Sequence, residues 1–336
     1  MTITVLQAEG LYPDDKVERE VLGPDVRILQ AHAGSLAELP DELCSEVDGL
    51  FIFRHWLSAT DIARFPKLRC VVRMGVGYDR LDRATLGARG ITVCNLPDYG
   101  TTEVADHAIA LALALRRGLL LHHDAQRGDP PAPWSPIESP LVQRPSTRTF
   151  GVLGLGRIGT AVALRAKAFG WRVVFHDPHL PNGTELALGI QRARRIEELF
   201  EQADTLSIHT PLTGSTRDLV GERLLRLMPA GAVVVNTARG PVLDLDALER
   251  CLRDGTVAGA GLDVLPEEPP REPAPSLLQA YRARAPWLAG RLIVTPHSAY
   301  HSPEAVEDIR RKSAETMRDV LLEGLNTNVI PVGQSY

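Results

Sequence analysis

The sequence predicts an α/β protein of two units, each a largely parallel sheet flanked by helices. Three observations lead there. A chain of 336 residues is long for one hydrophobic core and comfortable for two. Short β-rich runs alternate with helical patterns in two separate series, one from the first residues and one from Arg148, which is the rhythm of βαβ units. The hexapeptide GLGRIG, residues 154–159, opens the second series and not the first.

In the first series, strands are expected at residues 3–6, 26–29, 50–53, 70–73 and 91–94, each a short apolar run. Amphipathic or polar segments such as 59–65 and 81–88 separate them. A long helical pattern then runs over about 102–125. The Pro-rich piece DPPAPWSPIESPLVQRP has no periodicity and reads as a surface connector. The second series starts with a strand at 149–153, a helix at 157–169 and a strand at 172–175. Further strands follow at 205–208, 232–235, 259–262 and 292–294. The segment PPREPAPSLLQAYRARAPWLAG reads as another solvated loop, and an amphipathic helix at about 304–322 closes the chain.

Composition narrows the function classes. Apolar residues make up 44% and charged residues 24%, the balance of a soluble globular protein. A net charge of −5 gives no electrostatic footprint for a general nucleic-acid binder. The start MTITVLQAEG has no basic segment ahead of an apolar run, so no secretory signal is expected. The longest apolar run, 108–115, is too short to cross a bilayer. Four cysteines lie far apart with no CxxC pair, which suits thiols in a reducing cytoplasm.

A GxGxxG pattern alone is weak, but here a strand runs straight into Gly154 and a helix starts near Arg157. Gly154 would make the tight turn, Gly156 would let backbone approach a pyrophosphate, and Gly159 would let helix and sheet pack closely. The N–H groups around Arg157 and Ile158 would face the phosphates at the positive end of the helix. Asp177 ends the next strand, 23 residues beyond Gly154. A carboxylate there accepts hydrogen bonds from the ribose hydroxyls and repels a 2′-phosphate, so NAD is expected over NADP, with His179 softening the discrimination.

Charged residues follow three later strands: Arg239 in VVVNTARGPV, Asp263 and Glu268 in GAGLDVLPEEPP, and His297 in IVTPHSAYHS. Strand C-termini of a doubly wound sheet face the cofactor crevice. Hydride reduction of a ketone leaves negative charge on oxygen, which needs a proton, and histidine is the usual donor near neutral pH. A carboxylate beside the ring favours its protonated form and holds it in place. Arginine's planar fork suits a substrate carboxylate and its adjoining carbonyl. No metal is needed. Glu103, Asp106 and His107 share a helix face, but acids in a first helical turn suit its dipole. His122 and His123 are adjacent, so on a helix they cannot share one ligand face, and both are expected at a surface or an interface.

Taken together, VVRMGVGYDRLD, NLPDYGTTEVADHAI, GVLGLGRIG, VVFHDP, NTARG, GAGLDVLPEEP and TPH span nearly the whole chain. In these stretches it resembles the D-isomer-specific 2-hydroxyacid dehydrogenases. LRAKAFG, ALGIQR and VVRMGVGYD carry a closer likeness to the branch of the C-terminal binding protein corepressors and their bacterial relatives. The resemblance implies a flavodoxin-like substrate domain (1–102 with 299–336) and an inserted, doubly wound NAD-binding domain (103–298). The fingerprint comes late because its domain is an insertion.

The resemblance also implies the catalytic trio Arg239, Glu268 and His297, and a contact of Asp263 with the nicotinamide carboxamide. Further cofactor contacts are implied at Val104, His209, Thr210, Pro211, Thr237 and Ala238. Met74, Gly75, Val76 and Gly77 match a loop whose amides grip the substrate carboxylate. Homodimers through the NAD-binding domain are implied as well.

Three positions depart from the pattern or add to it. Pro241 removes an N–H after Arg239-Gly240. Tyr300 stands where the corepressor branch has Trp. Arg54 matches a phosphate-binding Arg of phosphoglycerate dehydrogenases, and Arg73 precedes the carboxylate loop. The expected activity is therefore reduction of a 2-keto acid, dianionic if Arg54 acts as a second clamp. A nucleotide-sensing corepressor-type protein and a phosphite-type dehydrogenase are the alternatives.

Overall fold

The structure is a computed structural model that describes residues 2–332. The chain divides into two compact units, one holding residues up to Gly100 and those from His301 on, the other Thr101–Tyr300.

The first unit is a five-stranded, all-parallel sheet: β1 (Ile3–Gln7), β2 (Val26–Gln30), β3 (Gly49–Ile52), β4 (Cys70–Arg73) and β5 (Thr92–Cys94). Its order, β2-β1-β3-β4-β5, is the flavodoxin-like one. Both faces are covered, so β3 and β4 read as almost unbroken apolar runs, with Leu50, Ile52 and Val71 fully buried. The closing helix, Pro303–Leu321, packs on β3 and β4. A Cβ at Gly49 would meet Met317 Sδ, so the small residue sets how near that helix lies. Arg310 of the closing helix bonds the wholly buried Glu18 at 2.7 Å, tying the end of the chain to helix Lys16–Leu22.

The second unit is a seven-stranded parallel sheet: β6 (Thr149–Leu153), β7 (Arg172–His176), β8 (Gln191–Arg192), β9 (Thr205–Ile208), β10 (Ala232–Asn236), β11 (Val257–Leu262) and β12 (Leu292–Val294). Its order is β12-β11-β10-β9-β6-β7-β8. The winding reverses between β6 and β9, the place where open α/β sheets leave a crevice at the strand ends. An apolar core lies on each side, one around Leu206, Val234 and Leu248, the other around Phe150, Val162 and Val235. Helix Thr101–Arg116 sits close on β11, where a Cβ at Gly261 would press on Leu111.

Three expectations need correction. The long helix breaks into Thr101–Arg116 and Leu119–Gln126, with Gly118 between them at φ +58°. At the break Arg116 is buried and donates to Thr205 Oγ1 (2.9 Å), the Gly231 carbonyl (2.8 Å) and the Asp204 carbonyl. The segment read as a second solvated loop contains helix Ser276–Arg282, with Leu277 and Leu278 buried. Strand β8 was not anticipated, because two residues carry no period. The Pro-rich connector forms neither helix nor strand from 127 to 144. His122 is half-buried and pins it: Nδ1 lies 2.7 Å from the Gly118 carbonyl and Nε2 accepts from the Ile137 N–H at 3.1 Å.

Candidate active site

In the second unit, β6 ends at Leu153 and the chain turns at Gly154 with φ +88°, a conformation suited to glycine. A Cβ at Gly159 would land on the Gly154 carbonyl oxygen, so this glycine is required by close packing. A Cβ at Gly156 would meet only open space, and Gly156 and Arg157 are exposed at the start of helix Arg157–Ala168. Ile158 packs partly buried against the core. Asp177 braces the turn: one carboxylate oxygen accepts from Leu155 N–H and the other from His179 N–H, both at 2.9 Å.

The crevice continues past β9 and β10. His209 Nε2 lies 2.8 Å from Ser207 Oγ, and burial pushes its imidazole down to about 3, so the ring is neutral. Next to it, Thr210 Oγ1 is buried with no hydrogen-bond partner, as is Thr237 Oγ1 at the end of β10. An orphaned hydroxyl beside the glycine turn, at Thr210, and another at the C-terminal end of β10, at Thr237, suit a polar ligand such as a dinucleotide. Pro211 is exposed, Ala238 half-buried, and Val104 buried in the first turn of helix Thr101–Arg116.

Arg239 follows β10 on a backbone shaped by Asn236. The buried Asn236 amide donates to the Arg239 carbonyl and accepts from Ala238 N–H, both at 3.0 Å. Sequence reasoning missed Asn236; its signal was an amide at the end of an otherwise apolar strand. Arg239 Nη1 donates to the Ala238 carbonyl at 2.8 Å. Pro241 sits in a short 3-10 turn, and its carbonyl accepts from Asp218 N–H.

Glu268 and His297 meet. His297 Nδ1 lies 2.6 Å from Glu268 Oε2, while Glu268 Oε1 accepts from Leu265 N–H at 2.9 Å. A carboxylate only accepts, so Nδ1 carries the proton and Nε2 is the ring atom left for chemistry. His297 has φ +52°, the left-handed region, and Tyr300 lies edge-on to its ring at 6.4 Å. Asp263 is turned inward: its carboxylate accepts from Thr295 Oγ1 (2.6 Å), Ser298 N–H (2.9 Å) and Ala299 N–H (3.0 Å).

In the first unit, the 73–77 loop emerges from β4. Met74 is buried and its N–H donates to the Ile52 carbonyl. Asn95 Nδ2 donates to the Val76 carbonyl at 2.6 Å, and Gly77 follows half-buried. Gly75 has no room for a Cβ because the Arg73 guanidinium lies over it. Arg73 and the exposed Arg54 both lie near the Phe53 ring, at 5.7 and 5.5 Å from its centroid. Sequence reasoning also missed Glu9, whose carboxylate accepts from the N–H groups of Phe53, Arg54 and His55 and so fixes the Arg54 loop.

Residues 109–299 match the NAD binding domain of the D-isomer specific 2-hydroxyacid dehydrogenases. This chain belongs to that family. A glyoxylate reductase of Korarchaeum cryptofilum is 37% identical over 257 residues, 75% of this chain and 73% of the relative. A D-3-phosphoglycerate dehydrogenase of Methanocaldococcus jannaschii is 34% identical over 80% of this chain, which spans about half (48%) of that relative. Among solved structures, a glyoxylate reductase from Paecilomyes thermophila superposes with a TM-score of 0.85 at 27% identity, covering 99% of each chain. This 2-hydroxyacid dehydrogenase is accordingly an NAD-dependent oxidoreductase.

Among the described residues, no three His, Cys, Asp or Glu side chains form a group that could hold a metal ion. In the trio weighed for metal, Asp106 bonds Arg165 at 2.6 Å and His107 Nε2 contacts Thr295 Oγ1 at 3.1 Å. No helix among these residues is long and apolar enough to cross a membrane.

Proposed function

We propose that this dehydrogenase reduces a 2-keto acid with a second negative charge to the D-2-hydroxy acid. The observation that carries the chemistry is the 2.6 Å contact of His297 Nδ1 with Glu268. NADH, when bound, supplies the hydride. As oxygen gains charge, His297 Nε2 delivers the proton, a step worth about 10²- to 10⁴-fold in rate. Glu268, fixed by Leu265 N–H, keeps the ring in one tautomer and one orientation. The Arg239 fork takes the substrate carboxylate and polarises the carbonyl, and the amides of 74–77 bind the same carboxylate.

The turn from Gly154 to Gly159 would hold the dinucleotide, with Asp177 at its ribose, which favours NAD. Thr210 and Thr237 are supported as contacts by their unpartnered hydroxyls. Val104, Pro211 and Ala238 complete that set, and Asp263 reaches the carboxamide. Arg54 and Arg73 hold the far anionic end; their shared place at the Phe53 ring supports this. The enzyme works as a homodimer through the NAD-binding unit, supported by Trp134, which is 94% exposed on the connector. Four buried free thiols fit a reducing cytoplasm.

The test follows NADH oxidation across pyruvate, glyoxylate, hydroxypyruvate, oxaloacetate and phosphonopyruvate, with NADPH as control. The dianions should be preferred, and Arg54→Ala should raise KM for them by about 10- to 100-fold, the loss of a charged contact, with little change for pyruvate. Equal effects on all substrates would remove Arg54 from recognition. NADH binding without turnover on any of them would point to a corepressor-type role.

A further inference from the structure

His297 has a backbone conformation that a non-glycine residue adopts only when its surroundings impose it. What imposes it is Asp263. The main chain wraps this residue: His297 N–H donates to the Asp263 carbonyl at 2.8 Å, and the next two N–H groups, of Ser298 and Ala299, donate to its carboxylate. The fourth donor is the Thr295 hydroxyl, at 2.6 Å.

That hydroxyl has one proton, and the carboxylate can only accept, so the proton lies on the bond to Asp263. Thr295 Oγ1 must then accept from its other neighbour, His107 Nε2, at 3.1 Å. The direction of every hydrogen bond is therefore fixed: His107 donates to Thr295, and Thr295 donates to Asp263. A donor behind a hydroxyl polarises it and strengthens the bond ahead. His107 itself stands on helix Thr101–Arg116, an element locked to the sheet by the buried Arg116. The chain of contacts runs from a rigid helix to the turn that aims His297.

We propose that His107 is a positioning residue for His297, acting through Thr295 and Asp263. The proposal rests on the reading of His297 as proton donor. His107 is 188 residues from Thr295 in sequence; its Nε2 lies 3.1 Å from the Thr295 hydroxyl but 3.8 Å from the Asp263 carboxylate, beyond hydrogen-bond reach, so the hydrogen-bonded route to Asp263 runs through the hydroxyl. Glutamine places an N–H donor near the position of His Nε2, whereas leucine places none.

The experiment compares His107→Leu, His107→Gln, Thr295→Val and the Leu/Val double variant of the full chain. The first readout is hydrogen exchange of the amides of residues 297–299 without cofactor. His107→Leu and Thr295→Val should each speed it by up to about tenfold, the worth of one hydrogen bond. The double variant should match Thr295→Val, because removing the hydroxyl already cuts the link. His107→Gln should exchange at the wild-type rate.

The second readout is glyoxylate reduction, where kcat should fall by about tenfold in His107→Leu with KM changed by less than about twofold. It should recover in His107→Gln. Wild-type exchange in His107→Leu, effects that multiply in the double variant, or a glutamine variant as impaired as leucine would each overturn the proposal. His297→Asn is the separate control: retained turnover there would refute His297 as proton donor, while the exchange pattern would still decide whether His107 holds the turn.

Discussion

At the scale of single residues, the environment decides which groups are charged and which are merely placed. The family resemblance implies His209, which follows β9, as a cofactor contact. Its ring bonds Ser207 and is held neutral by burial, with a pKa of about 3 against an ordinary 6.5. Between those two values the unfolded chain binds a proton that the folded chain refuses. Acid therefore favours unfolding across that window, by about 1.4 kcal/mol per pH unit for this one group. Above pH 6.5 the effect is absent. Between pH 6.5 and 5, the wild-type protein should lose about 1.6 kcal/mol more stability than His209→Asn. Urea unfolding of both proteins at the two pH values checks this; parallel slopes would show that the imidazole is protonated in the fold.

Elements are legible in sequence when their cause is local, and obscure when it is not. The glycine turn could be read because Gly154 and Gly159 answer to the strand and helix on either side of them. The break after Arg116 could not. The run ALALALRRGLLLHH keeps an uninterrupted helical character across Gly118. The chain turns at Gly118 with φ +58°, and acceptors at Asp204, Thr205 and Gly231, brought beneath Arg116 by the sheet, anchor the break. The same holds for the bond between Thr295 and Asp263, which lie 32 residues apart and meet only in the fold.

Burial lowers the Arg116 pKa to about 10, so the side chain stays charged at neutral pH and needs all its acceptors. Arg116→Met would leave the buried Gly231 carbonyl without its donor, while the Asp204 carbonyl keeps Val233 N–H, and stability should fall by about 2 kcal/mol. Denaturant midpoints with an unchanged m-value would register the loss. A fall below about 1 kcal/mol would mean that water replaces the guanidinium.

At the scale of the whole molecule, the late position of GLGRIG follows from one chain building two units, the second inserted into the first. A unit that is contiguous in sequence, with an apolar core on both faces of its own sheet, has what a domain needs to fold alone. Residues 101–300 also contain the glycine turn, Asp177 and the Glu268–His297 pair. Expressed by itself, this segment should unfold cooperatively, reported by the buried Trp171. It should also bind NADH, and saturation at about 100 times Kd should stabilise it by about 2.7 kcal/mol. It should not reduce any keto acid, because the 73–77 loop and Arg54 belong to the other unit. Turnover by the isolated segment would mean that Arg239 and the histidine suffice to hold substrate. A segment that fails to fold would mean that its cores depend on the residues outside it.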